Sequence, residues 1–457
     1  MKALLSASIL CFISLLITGQ SLPALKISAN HKYIVNQENE PFFWLGGTAW
    51  ELMHRLDRDE VDLYLGDRAK KGFTVIQTVV LAELDGLNTP NAYGHKPLKK
   101  NDPTRLNEKY FEHVDYVIQK ADELGLYIAL LPCWGDKFNK KWGVGPEIFN
   151  PENAEVYGQI LAERYRSQQN IIWVLGGDRV PENEEHYEIV RAMAKGIRNI
   201  DKAHLISYHP AGAKTASDFF DDKWLDIDMF QSGHSRGAKE YRYLLESKKS
   251  KTTRPIVNGE ARYENISDRF WESASDFWLD DADVRVSAYW SMISGAAGYT
   301  YGCNDIWQMY DYRREPIINA RTDWDEALNL PGSFQLQYMR IIFEKLPWQS
   351  MVFNPSLILN DNPQNDTYLV SAMGENKDFI LAYTPVGASI KVNLSELNSE
   401  RINAYWFNPR SGSVNLIGAF MCNESFEAEP WSAGWGSDFL LILLDEDFPF
   451  DPSELNN

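Results

Sequence analysis

Between about residues 40 and 345, the chain alternates short apolar runs with stretches of helical periodicity. The runs lie at 42–45, 73–80, 126–131, 171–175, 205–208, 227–230, 255–257 and 299–301. Each is continuous rather than alternating, as parallel strands buried on both faces must be. The helical stretches are 59–71, 107–124, 151–166, 181–199, 237–248, 283–294 and 333–345, with a further short one expected at 214–220. Asn150 stands where an N-cap belongs, Pro151 at a first helical position and Gly125 at a C-cap. Eight strands, each followed by a helix, predict an α/β fold built as a (β/α)8 TIM barrel.

After Pro347 the pattern changes. Short runs at 357–359, 367–371, 379–383, 389–393, 401–407, 414–417 and 439–444 are separated by Asn, Pro and Gly clusters. That spacing predicts a small C-terminal β-sandwich. At the other end, Lys2 precedes an apolar stretch from Ala3 to Ile17, with small residues following near Gly19 and Ala24. This has the layout of a secretory signal and is too short for a membrane span. The expected organisation is a signal at 1–24, a barrel at 25–347 and a sandwich at 348–457, with export to the periplasm or the extracellular space and no integral membrane segment.

Composition narrows the partners. With 44% apolar and 24% charged residues, the 457-residue chain reads as globular rather than disordered or fibrous. Sixty-four acidic residues against 45 basic ones give a net charge of −19. That argues against nucleic acid or an anionic membrane as the main partner. The 22 Phe, 22 Tyr and 15 Trp lean towards a neutral, ring-stacking ligand such as a sugar. Beyond the signal, Cys133, Cys303 and Cys422 are too few for a disulfide framework and form no CxxC pair. No dense ligand spacing points to a metal, and no P-loop, G-x-G-x-x-G or G-x-S-x-G points to a nucleotide, dinucleotide or esterase site, so no cofactor is expected.

In a parallel barrel, chemistry belongs at the C-terminal ends of the strands. The fourth run leads into Gly176-Gly177-Asp178-Arg179, and the seventh into Asn258-Gly259-Glu260. Each places a carboxylate behind glycine at a strand tip. A glycosidase needs two such groups: one protonated to donate to the leaving oxygen, the other ionised to attack or to activate water. Asp178 and Glu260 meet that requirement by type and position. The competing reading pairs each with a neighbouring cation, Asp178 with Arg179 and Glu260 with Arg262.

Other strand ends supply residues suited to binding sugars. Gln77 closes the second run, and Trp134 and Asp136 follow the third. Arg179 and His209 follow the fourth and fifth. Gln231 and His234 follow the sixth, and Trp307 follows the eighth. Amides and imidazoles bond hydroxyls, and indoles stack on sugar rings. Trp50 follows the first run and is a stacking candidate, whereas Trp44, Trp173 and Trp290 are expected in the core.

Several stretches carry a resemblance. Trp44 to Leu52, Tyr157 to Tyr165 leading into Asn170 to Arg179, Asn258-Gly259-Glu260, and Ala288 to Ser291 with Gly295 to Gly302 resemble the apiosidase-like catalytic domains of glycoside hydrolase family 140. Ala382 to Gly387 and Ala404 to Gly412 resemble the small collagen-binding-type sandwich that commonly follows. The resemblance covers nearly the whole chain after the signal. It implies exo-acting release of apiose from plant pectic side chains, with Asp178 as acid/base and Glu260 as nucleophile. A plant cell-wall oligosaccharide would be the substrate. The alternative is a non-catalytic carbohydrate- or matrix-binding protein on the same scaffold.

Overall fold

A computed structural model describes residues 22–247, 252–272 and 277–456. Most of the expected signal, residues 1–21, lies outside the described residues. Leu22 and Pro23 are tied to the barrel: the Leu22 amide donates to Asp122 Oδ1, and the Tyr127 hydroxyl donates to the Pro23 carbonyl.

Eight parallel strands make the N-terminal barrel: β1 (Trp44–Thr48), β2 (Val75–Leu81), β3 (Tyr127–Cys133), β4 (Ile171–Gly176), β5 (Ile206–His209), β6 (Asp228–Gln231), β7 (Ile256–Glu260) and β8 (Gly298–Cys303). They run β5-β4-β3-β2-β1-β8-β7-β6. A parallel bridge between Ser207 and Ile227, with Ser207 Oγ donating to the Ile227 carbonyl at 2.9 Å, brings β5 against β6 and nearly closes the ring. Every residue of β2, β3 and β4 is buried, which accounts for the continuous apolar runs.

Seven longer helices of the described residues surround the strands: α1 (Arg58–Lys70), α2 (Glu108–Glu123), α3 (Pro151–Tyr165), α4 (Glu184–Ile200), α5 (Glu240–Ser247), α6 (Asp281–Ile293) and α7 (Pro331–Lys345). Asn150 caps α3 as expected: its side chain accepts from the Asn153 amide, and Pro151 opens the helix. The helix expected at 214–220 does not form. Lys214–Thr215 instead pairs antiparallel with β6, and a 3-10 turn follows over Ala216–Asp218. The reason is Asp228, whose carboxylate takes both the amide and the hydroxyl of Ser217. Those bonds tie the connection to the strand that follows it.

The C-terminal part contains β9 (Met351–Phe353), β10 (Val370–Gly374), β11 (Phe379–Thr384), β12 (Ile390–Asn393), β13 (Arg401–Phe407), β14 (Val414–Met421), β15 (Ser425–Ala428) and β16 (Phe439–Asp445). Six form an antiparallel sheet in the order β9-β10-β11-β16-β13-β14, and β12 pairs with β15 as a second layer. Ile380, Ile390, Val392, Ile402, Leu441 and Leu443 fill the space between the layers. The sequence reading missed β9 and β15, which are only three and four residues long.

The sheet is joined to the barrel through α6. Arg285 on α6 bonds Asp438 at 2.8 Å, with both side chains buried, and Tyr289 stacks on Tyr383 at 4.8 Å between ring centroids. Trp290 donates from Nε1 to the Tyr368 carbonyl at 3.1 Å and, like Trp44 and Trp173, is fully buried as expected. Each large apolar side chain removed from water in this way contributes about 1.5–3 kcal/mol before entropy is counted.

Candidate active site

A cavity of about 1140 Å³ opens at the C-terminal ends of the strands. Trp50, Trp134, Asp178, Gln231, His234, Glu260 and Trp307 all border it.

Backbone conformation brings Asp178 there. Gly176 and Gly177 have φ of +89° and +115°, and Asp178 itself has +52°. A Cβ on Gly177 would lie 2.8 Å from the Gly135 nitrogen, so the tip of β4 can turn against the β3 loop only with glycine. Glu260 ends β7 after an irregularity in its pairing with β6, and Gly259 lies flat against Met229.

Glu260 is 5% exposed and surrounded by donors. The Tyr263 hydroxyl donates to Oε1 at 2.6 Å. His209 Nε2 lies 3.0 Å from Oε2, and His234 Nε2 3.4 Å from Oε1. The Asp178 amide donates to His209 Nδ1 at 3.3 Å, which ties the ring to the loop that carries Asp178. Burial pushes the Glu260 carboxyl up, but the hydrogen bonds and charge offered by His209 and His234 outweigh it and hold the group well below the usual carboxylate range.

Asp178 is treated in the opposite way. Burial and the negative charge of Glu260 push its carboxyl up to about 6, against the pull of Arg179 and the two histidines. Arg179 Nη1 reaches Asp178 Oδ2 only at 3.5 Å and the Asp178 carbonyl at 2.8 Å. Its Nε is spent on the Asn139 carbonyl at 3.0 Å. Arg262, the expected competitor for Glu260, bonds Glu240 instead through two contacts of 2.9 Å. Two carboxyls in one cavity are thus driven apart in acidity, which suits one to hold a proton and the other to carry charge.

Four residues proposed from sequence for binding do not border the cavity. Gln77 is buried and donates from Nε2 to the Gly259 carbonyl at 2.6 Å, fixing the tip of β7. Asp136 is buried against Lys137 at 2.6 Å and accepts from the Gly145 amide at 2.7 Å. Arg179 holds the 139–140 loop, and His209 meets Glu260 rather than the open cavity. In each case neighbours hold the side chain away from the open cavity, a demand that strand-end position alone does not reveal.

The tryptophans need a similar correction. Trp50, Trp134 and Trp307 border the cavity but are at most 5% exposed. Trp50 packs on Trp134 at 5.1 Å and on His209 at 5.3 Å, and donates to the Tyr263 hydroxyl at 3.2 Å. The open rings at the cavity are Trp142 and Trp271, 65% and 56% exposed. Neither follows a strand directly, so strand-end reasoning passed them over, as it did Tyr263 and Glu83. Four buried atoms of cavity residues have no hydrogen-bond partner among the described residues: Trp134 Nε1, Gln231 Oε1, His234 Nδ1 and Glu260 Oε2, the last facing His209 Nε2 at 3.0 Å.

Comparison with known proteins shows the family. Residues 28–350 match the family described as an apiosidase-like catalytic domain. Residues 352–444 match one described as a collagen-binding domain of a collagenase. A solved structure described as a glycoside hydrolase is 31% identical, with a TM-score of 0.86, covering 94% of this chain and 98% of its own. A glycoside hydrolase described as family 5, from Bacteroides vulgatus, is 30% identical with a TM-score of 0.87, covering 94% and 95%. No curated protein matches the chain. Matched over its barrel and aligned along nearly its whole length with solved glycoside hydrolases, the chain belongs to the apiosidase-like family and is a glycoside hydrolase.

Proposed function

We propose that the protein is exported through its N-terminal signal and, acting from the chain end, releases apiose or a related pentose from plant pectic side chains by a two-carboxylate, retaining mechanism. The observation that carries the mechanism is the opposed environment of Asp178 and Glu260. Asp178, held protonated, donates its proton to the glycosidic oxygen as the bond to the anomeric carbon breaks. A Glu260 carboxylate oxygen attacks that carbon from the other side and forms a glycosyl ester. Asp178, now ionised, takes a proton from water; the resulting hydroxide attacks the anomeric carbon, and Glu260 leaves as carboxylate. Tyr263 and His209 orient the attacking carboxylate throughout.

Several features support a sugar as the ligand. The unpartnered Trp134 Nε1, Gln231 Oε1 and His234 Nδ1 offer hydrogen bonds to hydroxyl groups. The exposed Trp142 ring offers a stacking face. The cavity has room for more than one sugar unit, which favours an oligosaccharide.

The test is incubation with apiose-containing pectic fragments and a panel of aryl glycosides, with identification of the released sugar. Apiose is expected. Arabinose or galactose without apiose overturns the substrate and leaves the chemistry standing. Glu260→Gln should abolish turnover at an unchanged melting temperature; full activity in that variant overturns the nucleophile. NMR of the first product anomer distinguishes retention from inversion.

A further inference from the structure

A third carboxyl borders the cavity. Glu83 lies two residues past β2 and lines the same cavity as Trp50 and Asp178. Its loop is firmly held. Glu51 Oε1 accepts from the Leu84 amide at 3.0 Å, and the Asp85 amide donates to the Glu83 carbonyl at 2.8 Å.

The charged groups that act on Glu83 are Asp178, Arg179, Asp136 and Glu51, from the loops after β4, β3 and β1. Three of them are already engaged with other partners. Glu51 is bonded to His54 at 2.5 Å as well as to Leu84. Asp136 is taken by Lys137 and Gly145. Arg179 is spent on the Asn139 carbonyl and the backbone of Asp178. The Glu83 carboxyl itself makes no hydrogen bond or ion pair among the described residues. An acid on a pinned loop, in the cavity of the reacting pair and bonded to nothing among the described residues, is free to bond a ligand.

Its protonation suits a sugar. Burial and the charge of Asp178 push the Glu83 carboxyl up to about 8, against the pull of Arg179. A neutral carboxyl both donates and accepts, which matches a hydroxyl that does the same. A neutral group also leaves the electrostatics of Asp178 and Glu260 undisturbed.

We propose, on the basis of the glycosidase reading above, that Glu83 is a specificity-determining residue that hydrogen-bonds a hydroxyl of the sugar unit placed between Asp178 and Glu260. Glu83→Gln keeps a neutral donor and acceptor; Glu83→Ala removes both. The readouts are kcat and KM on the best aryl glycoside of the panel, its singly deoxygenated analogues, and the affinity of free apiose for the Glu260→Gln protein by calorimetry.

Glu83→Gln should stay near wild type. Glu83→Ala should lower kcat/KM and apiose affinity by about 10- to 100-fold, the range for a lost hydrogen bond to a buried group. One deoxy analogue should lose a similar factor on the wild-type protein and lose nothing further on Glu83→Ala. Unchanged kcat/KM and apiose affinity in Glu83→Ala overturn the proposal. So does a Glu83→Gln protein that binds apiose normally yet turns nothing over, because the carboxyl would then be transferring a proton. Full turnover by Glu260→Gln defeats the two-carboxylate reading instead, and the apiose affinities still decide Glu83.

Discussion

The Tyr263 hydroxyl donates a 2.6 Å hydrogen bond to Glu260 Oε1 and accepts one from Trp50 Nε1 at 3.2 Å. The indole thus fixes the phenol, and the phenol fixes the carboxylate. Removing the hydroxyl takes away a bond that favours the ionised form of Glu260. Tyr263→Phe should raise the acidic limb of the kcat/KM profile by about 1–2 pH units, since a hydrogen bond to a charged group contributes ~1.5–3 kcal/mol and 1.36 kcal/mol corresponds to one unit. A variant with an unmoved acidic limb would show that the phenol contributes packing alone.

The wild-type pH profile follows from the two carboxyls. Activity needs Glu260 ionised and Asp178 protonated. Glu260 is held below the ordinary range and Asp178 is raised to about 6. Activity should therefore persist into acid, and kcat/KM should fall tenfold per pH unit on the alkaline side of Asp178. Asp178→Ala should retain the glycosylation step only for substrates whose leaving group needs no proton. Pre-steady-state bursts with a dinitrophenyl glycoside would measure this.

Gly177 tests the backbone that carries Asp178. Its φ of +115° and the 2.8 Å clash awaiting a Cβ make Gly177→Ala strained on both counts. A stability loss of about 1–3 kcal/mol is expected from denaturant unfolding. Because Asp178 is the next residue, kcat should fall as well in the fraction that remains folded.

Trp142 lies over the Arg179 guanidinium at 4.2 Å and is 65% exposed. Trp142→Ala should weaken binding of oligosaccharides by roughly 5- to 30-fold, about 1–2 kcal/mol of stacking. KM for a simple aryl glycoside should change little. Comparing the two substrates separates a distal subsite from a general loss of structure.

Asp438 accepts from Arg285 at 2.8 Å and from the Tyr383 hydroxyl at 3.0 Å, fully buried between barrel and sheet. Asp438→Ala leaves the Arg285 cation without its main partner. A loss of about 3–5 kcal/mol is expected on breaking a buried pair from one side. Thermal unfolding should show it, together with partial separation of the two parts in limited proteolysis.

Much of this arrangement was legible in the chain. Eight continuous apolar runs fall on the eight barrel strands because a strand buried on both faces leaves no polar position to interrupt the run. Asn150-Pro151 marked the start of α3 because capping is a local interaction. That Asp178 and Glu260 share one cavity was legible because each follows glycine at the tip of an expected barrel strand. The helix expected at 214–220 failed because Asp228, a residue of the next strand, captures Ser217, and no local pattern reports that bond.

By itself, the sequence determined the parallel barrel, the small antiparallel partner and the two strand tips that carry acids. These follow from periodicity and backbone conformation, which act over a few residues. The division of labour around the acids was decided only in three dimensions. Gln77 and Arg179 became supports because residues distant in the chain bond them, Asp136 because Lys137 and Gly145 do, and His209 because the fold sets it against Glu260. The Glu83 carboxyl makes no bond among the described residues because the charged groups beside it are already paired. The difference in acidity between Asp178 and Glu260 is likewise tertiary: it depends on which charges and donors the fold places beside each carboxyl and on how far it removes each from water.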